Sequence, residues 1–374
     1  MKVFLALTLC LFVTACSESP APHQSITHPH KEISLQEKQS FTPQDKISVS
    51  AVGDMLIHDR VYNDAKSSDS FNFMPMLEKV KPYLEDTTIT MANQETMIGG
   101  ESIGLSSYPS FNTPQEFGDA LKELGVDVVT LANNHTLDRG EKSVLKAIEH
   151  WESLEMMYTG AFKNKEDQNK IRVYETKEGI DVSFLSYTYG TNGIPVPKGK
   201  SHLVNLIDKK QIKSEVEMAN RKSDAIILNM HFGDEYEPLP NKEQKDLAQF
   251  AADLGVDVLI GHHPHVLQPI EWVEGKNEHK MLTVYSLGNF FSGQNALEKR
   301  IGGVFKFDLI RKEEKIAVEK PRFLLTYVTS EGSHAYEVLP MHELDNNLLP
   351  DYKRIMKEEK VHLKQWMPEL EFVK

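Results

Sequence analysis

The chain has 374 residues, of which 40% are hydrophobic and 26% are charged, as is usual for a globular protein. That length allows one large domain or two smaller ones. The formal net charge is −13 and the sequence contains no basic stripe. The acidic charge and the lack of a basic stripe exclude nucleic acid as a binding partner, because binding a phosphate backbone requires clustered lysine and arginine.

The first sixteen residues are typical of a bacterial lipoprotein signal peptide. Lys2 supplies a short positive region, and residues 3–13 form an apolar segment that is too short to span a bilayer. The sequence VTAC then ends at Cys16, which we expect to be lipidated and to become the mature N-terminus. Its lipid would anchor the protein to the extracytoplasmic face of the cell membrane. The alternative is an ordinary secretory signal that is cleaved nearby.

The rest of the chain divides into three parts by composition. Residues 17–45 are rich in Ser, Pro, Gln, Lys and His, which predicts a flexible tether. Residues 46–342 contain the predicted strands and helices without a strong linker, so we expect one domain there. Residues 343–374 include LPDYKRIMKEEKVHLKQW, which predicts a C-terminal helical extension.

Strands and helices alternate from residue 47 onward. The runs KISVSAVGDM and TTITMANQET predict strands, and TPQEFGDALKELG predicts a helix with Thr113 as its N-cap and Gly125 as its stop. A buried strand, VDVVTLANNH, follows this helix. Later segments predict a hairpin (KIRVYETKEGIDVSFLSYTY), a strand ending at His231 and a single strand, KMLTVYSLGNFF, ending at Asn289. The alternation predicts an α/β protein whose sheets are covered by helices.

Two segments of this pattern resemble each other. LGVDVVTLANNH (residues 124–135) and LGVDVLIGHHPH (residues 254–265) each join the end of a helix to a Val-Asp-Val strand and then to a histidine. We interpret them as two α-β units of similar build, since no third copy is present.

Polar side chains follow several of the predicted strands. In α/β sheets, ligands bind beyond the carboxyl ends of the strands. Oxygen and nitrogen donors of this kind suit Mn²⁺, Fe or Zn²⁺, and two such ions sharing a carboxylate form a two-metal hydrolase site. Several of these residues also have a simpler interpretation: Asp54 could make a turn, Asn133 and Asn134 could cap a helix that starts near Leu137, and His231 could be a hydrogen-bonded core histidine. The set comprises Asp54, Asn93, Glu95, Asn134, His135, His231, His262 and His265.

The segments GDM, ANQE, TLANNHTLDRG, MHFGDEYEPLP, GHHPHVLQPIE and YSLGNF together resemble the bacterial capsule-synthesis protein CapA family, also called the poly-γ-glutamate synthesis protein family. The resemblance covers about residues 47–342. It implies a calcineurin-like metallophosphoesterase fold, a four-layer αββα sandwich of two mixed sheets flanked by helices. It also implies a divalent metal cofactor, two ions of Mn, Fe or Zn, and a membrane-anchored protein outside the cell.

The resemblance further implies roles for individual residues. His135 would be a proton donor or a group that stabilises the transition state, and Asp138 would orient it. Glu95 would bridge the two ions. One departure from phosphoesterases is that Leu56 stands where they often have a histidine. The implied metal ligands are Asp54, Glu95, Asn134, His231, His262 and His265.

Three functions remain open at this stage. The first is a metal-dependent hydrolase or transferase that acts on a phosphoester or on the end of a poly-γ-glutamate chain. The second is a non-catalytic binding or scaffold subunit of a polyglutamate synthase complex, in contact with other synthase subunits and the anionic polymer. The third is a fold that is stabilised by metal and performs no chemistry.

Overall fold

In the computed structural model, which describes residues 46–374, fifteen strands form two mixed sheets. The first sheet has the order β14-β13-β12-β1-β2-β3-β4, with β11 paired to β1 and β15 paired to β13. The second has the order β5-β6-β7-β8-β10-β9. The strands are β1 (Lys46–Leu56), β2 (Ile89–Gln94), β3 (Val128–Thr130), β4 (Met157–Thr159), β5 (Arg172–Tyr174), β6 (Val182–Thr188), β7 (Ala225–His231), β8 (Val258–His262), β9 (Ile270–Glu274), β10 (Lys280–Val284), β11 (Asn289–Ser292), β12 (Ile301–Lys312), β13 (Lys315–Glu331), β14 (His334–Pro340) and β15 (Glu371–Phe372).

Helices pack on the outer face of each sheet. On the first sheet, Phe117 and Trp151 join a cluster with strand residue Val129. On the second sheet, Val216 and Ala248 join a cluster with strand residues that face away from the first sheet. The helices are α1 (Asp59–Asp64), α2 (Met74–Leu77), α3 (Pro82–Glu85), α4 (Glu116–Glu123), α5 (Gly140–Ser153), α6 (Lys165–Gln168), α7 (Lys209–Ala219), α8 (Lys242–Asp253) and α9 (Tyr352–Leu363).

A third apolar cluster fills the space between the sheets. It contains Val49 and Met91 from the first sheet and Ile227 and Val258 from the second. Side chains alternate along each strand, so Ile227 faces this inner layer while its neighbour Leu228 faces the helices. The result is four layers, helix, sheet, sheet and helix, which confirms the predicted αββα sandwich.

The segment after residue 342 packs against the same sandwich. Ile355 and Leu363 of the predicted C-terminal helix, α9, are buried in the cluster between the sheets. The short strand β15 then pairs in parallel with β13. This segment therefore adds to both the core and the first sheet.

Two local predictions are wrong. Thr113 does not cap α4, which begins at Glu116; its hydroxyl instead donates to Thr96 Oγ1 at 2.8 Å. The segment KMLTVYSLGNFF is not one strand, because β10 ends at Val284 in the second sheet and β11 begins at Asn289 in the first. The residues between them cross from one sheet to the other. The predicted hairpin is confirmed by the antiparallel pairing of β5 with β6.

The predicted signal peptide, Cys16 and the tether lie outside the described residues. Within residues 46–374, no helix combines the length and the apolar character needed to cross a membrane.

Candidate metal centre

The carboxyl ends of strands from both sheets meet at one edge of the sandwich. The first sheet supplies Asp54 from β1 and Glu95 just after β2, and the second supplies His231 from β7 and His262 from β8. Asn134 follows β3 in the loop that leads to α5. These side chains are all buried. The structure thus brings together the residues that the sequence placed at separate strand ends.

Two glycines allow this close approach. A Cβ on Gly53, just before Asp54, would lie 2.2 Å from the carbonyl oxygen of Gly288. A Cβ on Gly261, just before His262, would lie 2.0 Å from the carbonyl oxygen of Tyr285. Both carbonyls belong to the segment that crosses between the sheets. Packing therefore requires glycine before Asp54 and before His262, because any side chain at either position would push the strands apart.

Asp54 lies at the centre of a hydrogen-bond network. Its Oδ1 accepts from Asn93 Nδ2 at 2.8 Å and lies 3.1 Å from His262 Nδ1. Its Oδ2 accepts from the backbone N–H of His263 at 3.2 Å and lies 3.2 Å from His265 Nδ1. Burial alone would raise the pKa of Asp54, but the contacts with His262 and His265 hold it well below its usual range. Asp54 is therefore an ionised carboxylate in the interior.

Glu95 is buried without a hydrogen-bond partner on either carboxylate oxygen among the described residues. Its Oε1 lies 3.6 Å from His231 Nε2 and 3.7 Å from His265 Nε2. Burial is the main cause that raises the pKa of Glu95 well above its usual range, and the negative charge of Asp54 adds to it. An unpartnered buried carboxylate is costly, so this position favours a bound cation.

The neighbouring histidines respond to burial and charge in different ways. Burial lowers the pKa of His231 well below its usual value and that of His263 to about 3. Burial opposes charge on His265 too, but the carboxylates of Glu95 and Asp54 raise its pKa to about 9. Neutral imidazoles are the form that binds a metal ion.

Three sets of ligand atoms converge within 4.8 Å of one another among the described residues. They are Asp54 with Glu95 and His265, Glu95 with His231 and His263, and Glu235 with His263 and His265. Glu95 belongs to two of the sets, which is the arrangement expected of a shared carboxylate. The donors are oxygen and nitrogen atoms without cysteine, and His262 Nε2 and His263 Nδ1 are buried without partners, as Glu95 is. This candidate centre therefore fits a divalent cation.

His263 and Glu235 were missed by the sequence prediction. Both lie in motifs identified by the sequence analysis, GHHPH and MHFGDEYEPLP. Sequence spacing, however, does not tell which of two adjacent histidines, or which acidic residue of a loop, faces the metal centre. The three histidines clustered in GHHPH were the available signal. Asn192, which contacts Asn134 and His135, gave no signal at all.

Asn134 and His135 face different partners. Asn134 Oδ1 lies 2.9 Å from His231 Nε2, inside the cluster of candidate ligands. His135 Nδ1 lies 2.7 Å from Asp138 Oδ2, which also accepts from the backbone N–H of Phe111 at 2.8 Å. This carboxylate favours the tautomer with the proton on Nδ1, so Nε2 is the nitrogen left for other molecules.

A pocket of about 350 Å³ opens beside these residues. Of the residues that the structure describes, no lysine and no arginine lines it. It connects the His135–Asp138 pair with the candidate ligand Asn134. The lining residues are Tyr108, Pro109, Ser110, Asn134, His135, Asp138, Asn192, Ile194 and Glu235.

The simpler interpretation of the asparagines as helix caps is wrong. Helix α5 begins at Gly140 with Arg139 as its N-cap residue. Asn133 instead ties the loop together: its Oδ1 accepts from the backbone N–H of His135 at 3.0 Å, and its Nδ2 donates to the carbonyl of Gln94 at 3.0 Å. Asn133 therefore holds the loop that carries Asn134 and His135.

Comparison with known proteins identifies the family of the chain. The sequence matches the family described as "Bacterial capsule synthesis protein PGA_cap" over residues 48–294. It is 27% identical over 280 residues to the capsule biosynthesis protein CapA of Bacillus anthracis, covering 71% of this chain and 64% of that protein. It is 26% identical over 269 residues to the PGA biosynthesis protein CapA of Bacillus subtilis, covering 71% and 68%.

Among solved structures, the calcineurin-like phosphoesterase YfkN from Bacillus subtilis superposes with a TM-score of 0.44 at 14% sequence identity. The superposition covers 85% of this chain and 99% of that one. Similarity at this level does not bear on the mechanism. The family match spans the strands that carry Asp54, Glu95, His231 and His262, together with His265. The chain belongs to the bacterial capsule synthesis protein family PGA_cap.

Proposed function

We propose that this protein is a divalent-metal-dependent, phosphoesterase-like hydrolase that acts in poly-γ-glutamate or capsule biosynthesis. It would work on the extracytoplasmic face of the cell membrane, anchored by lipid on Cys16. Its partners would be polyglutamate synthase subunits and the anionic polymer. The names of the two CapA relatives and the VTAC sequence support this assignment of pathway and location.

The observation that carries the proposal is the environment of Glu95. A fully buried carboxylate with two unpartnered oxygens has no structural use in a packed core, and two histidine nitrogens approach it within 3.7 Å. Ligand atoms of Asp54, His231 and His265 lie within 4.8 Å of a Glu95 oxygen, and Asn134 Oδ1 lies 2.9 Å from His231 Nε2. This donor set would hold two divalent ions that share Glu95.

Bound divalent ions would polarise a phosphoryl oxygen and lower the pKa of bound water. The protein's own contribution lies next to them. To act as a donor, His135 would carry protons on both ring nitrogens: Nδ1–H would donate to Asp138, and Nε2–H would donate a proton or hydrogen bond to a leaving oxygen in the adjacent pocket. Asp138 keeps the ring in place, since its carboxylate is itself fixed by the Phe111 backbone.

The pocket restricts how an anionic substrate can bind. Within residues 46–374, no lysine or arginine lines it, and Glu235 in its lining adds a negative charge. The whole chain is also strongly acidic. A phosphoester or a polyglutamate end would therefore depend on the metal centre for charge neutralisation.

The test combines metal analysis with a phosphoesterase screen in Mn²⁺ on the purified protein. We expect about two ions per chain and hydrolysis of at least one phosphoester. His135→Ala should keep the metal and lose turnover about a hundredfold or more. His334→Ala, which alters an exposed histidine far along the chain in β14, is the matched control and should change neither.

Other results would exclude the hydrolase. Metal bound without any turnover, together with normal polymer production by the His135→Ala strain, would identify a non-catalytic subunit of the synthase complex. Absence of bound metal in the wild-type protein would contradict the proposal as a whole.

A further inference from the structure

The pocket beside the candidate metal centre is the space in which the departing part of a substrate would lie. His135 lines this pocket and is the group that would protonate the leaving oxygen. In hydrolysis the phosphorus–oxygen bond to the leaving group breaks, and water supplies the oxygen of the new bond. The leaving group departs as an alcohol with the proton from His135, and water returns a proton to the ring. The wall of this pocket therefore selects the leaving alcohol.

The wall of the pocket is acidic. Among the residues that the structure describes, it carries two carboxylates, Asp138 and Glu235, and neither lysine nor arginine. Asp138 is engaged with His135 at 2.7 Å, whereas the Glu235 side chain is exposed. A negatively charged leaving group would meet the Glu235 carboxylate without a side-chain cation to offset the repulsion.

Two cations on neighbouring loops are engaged with other groups. Arg139 donates to two backbone carbonyls, at 3.1 and 3.0 Å, in the loop that carries Tyr108. Lys299 Nζ lies 3.1 Å from the centroid of the Tyr236 ring, which holds its charge against that ring. Both cations therefore stabilise loops around the pocket.

Three exposed tyrosines flank the pocket, each from a different loop. Tyr108 lines it and is 76% exposed. Tyr189 is 47% exposed, and its hydroxyl is within hydrogen-bonding reach of the lining residue Asn134. Tyr236 is 39% exposed and directly follows Glu235 in the chain. Exposed aromatic rings that gather at one pocket indicate a surface for a ring-shaped ligand.

The backbone holds these aromatic side chains in place. Tyr108 lies at the tip of a loop that is closed by two backbone hydrogen bonds between Ser106 and Asn112, at 3.1 and 3.0 Å. The backbone N–H of Tyr236 donates to the carbonyl of Pro264 at 2.8 Å. Tyrosines on fixed loops supply contact area at a low cost in conformational entropy.

The tyrosines and their neighbours also offer hydrogen bonds. Burial, followed by the negative charge of Glu235, raises the pKa of both Tyr189 and Tyr236 to about 12. Their hydroxyls are therefore protonated at neutral pH and able to donate. Ser110 and Asn192 in the lining add a hydroxyl and an amide. Aromatic faces beside neutral donors and acceptors suit a hydroxylated ring, which has apolar faces and a polar edge.

We propose that the leaving group of the substrate is a neutral sugar ring, which contacts Tyr108, and that Glu235 discriminates against leaving groups that carry a carboxylate. This inference rests on the proposed function and names its substrate class as sugar phosphoesters. The pocket volume of about 350 Å³ is in the range of small-ligand sites. A polyglutamate segment with free carboxylates does not fit as the leaving group.

The experiment measures kcat/KM for three phosphoesters on the full-length Mn²⁺-loaded protein, extracted from membranes in detergent if it is anchored. Glycerol 3-phosphate and 3-phosphoglycerate differ by one carboxylate in the leaving group, and glucose 6-phosphate adds the ring. The variants are Tyr108→Ala and Glu235→Gln. The control is Leu348→Ala, which shortens a side chain that is 49% exposed and outside the pocket lining.

Wild type and Leu348→Ala should prefer glucose 6-phosphate to glycerol 3-phosphate, and glycerol 3-phosphate to 3-phosphoglycerate, by about tenfold at each step. Tyr108→Ala should remove the first preference, mainly by raising KM for glucose 6-phosphate. Glu235→Gln should remove the second. The ratio of two substrates within one protein is independent of the fraction that holds metal, so any loss of metal in Glu235→Gln does not affect this result.

Failure of the inference and failure of the proposed function give different results. Equal hydrolysis of glucose 6-phosphate and 3-phosphoglycerate, or unchanged ratios in Tyr108→Ala and Glu235→Gln, would overturn the inference and leave the hydrolase intact. If the wild type hydrolyses none of the three, calorimetric titration of the Mn²⁺-loaded His135→Ala protein decides. Tighter binding of glucose 6-phosphate than of 3-phosphoglycerate would support the sugar site and contradict the hydrolase, whereas equal or absent binding would overturn both.

Discussion

Glu95→Gln should change the stability of the protein in opposite directions with and without metal. In metal-free protein, the substitution replaces an unpartnered buried carboxylate by a neutral amide of the same shape. The variant should therefore be more stable than the wild type. In the presence of Mn²⁺ the order should reverse, because the amide is a much weaker ligand than the carboxylate it replaces.

The size of both effects can be worked out. At neutral pH the buried Glu95 must either stay charged without a partner or take up a proton, and either costs about 1–3 kcal/mol that a neutral amide avoids. At about 2.1 cal/mol/K per residue, roughly 330 ordered residues give an unfolding entropy of about 0.7 kcal/mol/K, so each 1 kcal/mol shifts Tm by about 1.4 °C. Metal-free Glu95→Gln should melt about 1–4 °C above the wild type. Two ions at a hundredfold excess over Kd contribute about 5 kcal/mol, which should raise the wild-type Tm by about 7–8 °C.

The assay is calorimetric melting of both proteins in a chelator and in Mn²⁺. Asp308→Asn is the control, since Asp308 is equally buried but paired with Arg322 at 2.7 Å and Lys46 at 2.8 Å. It should lower Tm by the same amount in both conditions. The reasoning is refuted if Glu95→Gln destabilises the metal-free protein and still gains the full wild-type increment from Mn²⁺.

Three further predictions follow from single residues. Cys16→Ser should release the protein from membranes; equal membrane fractionation of variant and wild type would exclude the lipid anchor. Asn134→Ala should reduce metal content in metal analysis while leaving circular dichroism unchanged, and full occupancy would remove it from the ligand set. Burial raises the pKa of Asp257 to about 6, so the folded state holds this proton more tightly than the unfolded state. Stability should therefore fall as pH rises from about 4 to 6, by up to about 2 kcal/mol given some remaining solvent contact. Asp257→Asn, which keeps an acceptor for the Ile226 N–H, should flatten that slope in denaturant titrations.

The two similar segments of the sequence show what a local pattern can establish. Asp127 accepts from the backbone N–H of Thr90 at 2.9 Å, and Asp257 accepts from that of Ile226 at 2.8 Å. Each aspartate thus ties the start of its strand to the preceding parallel strand. The repeated Val-Asp-Val pattern identified two equivalent α-β units, and the end of each strand then located the polar residues of the site.

Other features of the fold and the site depend on the path of the chain in space, and the sequence pattern could not predict them. The crossing between β10 and β11 was missed because Tyr285–Gly288 contain no proline and no charged residue that would mark the end of a strand. Among the described residues His263 converges with Glu95 and His262 does not, and the backbone of His263 has a φ of +100° that the residue sequence does not specify. Whether a strand-end histidine meets a carboxylate depends on how the sheets pack, and this is set by many distant residues.

Because the candidate metal centre lies where two sheets meet, we expect it to form late in folding. Asp54 and His262 touch although 208 positions separate them in the chain. Contacts at such separation form late, since the intervening chain must first be ordered. A partly folded chain holds only part of the donor set, with Asp54 and Glu95 supplied by one sheet and His231 and His263 by the other. Metal uptake would then report that both halves of the sandwich have docked, and an ion once bound would act as a non-covalent cross-link that resists their separation.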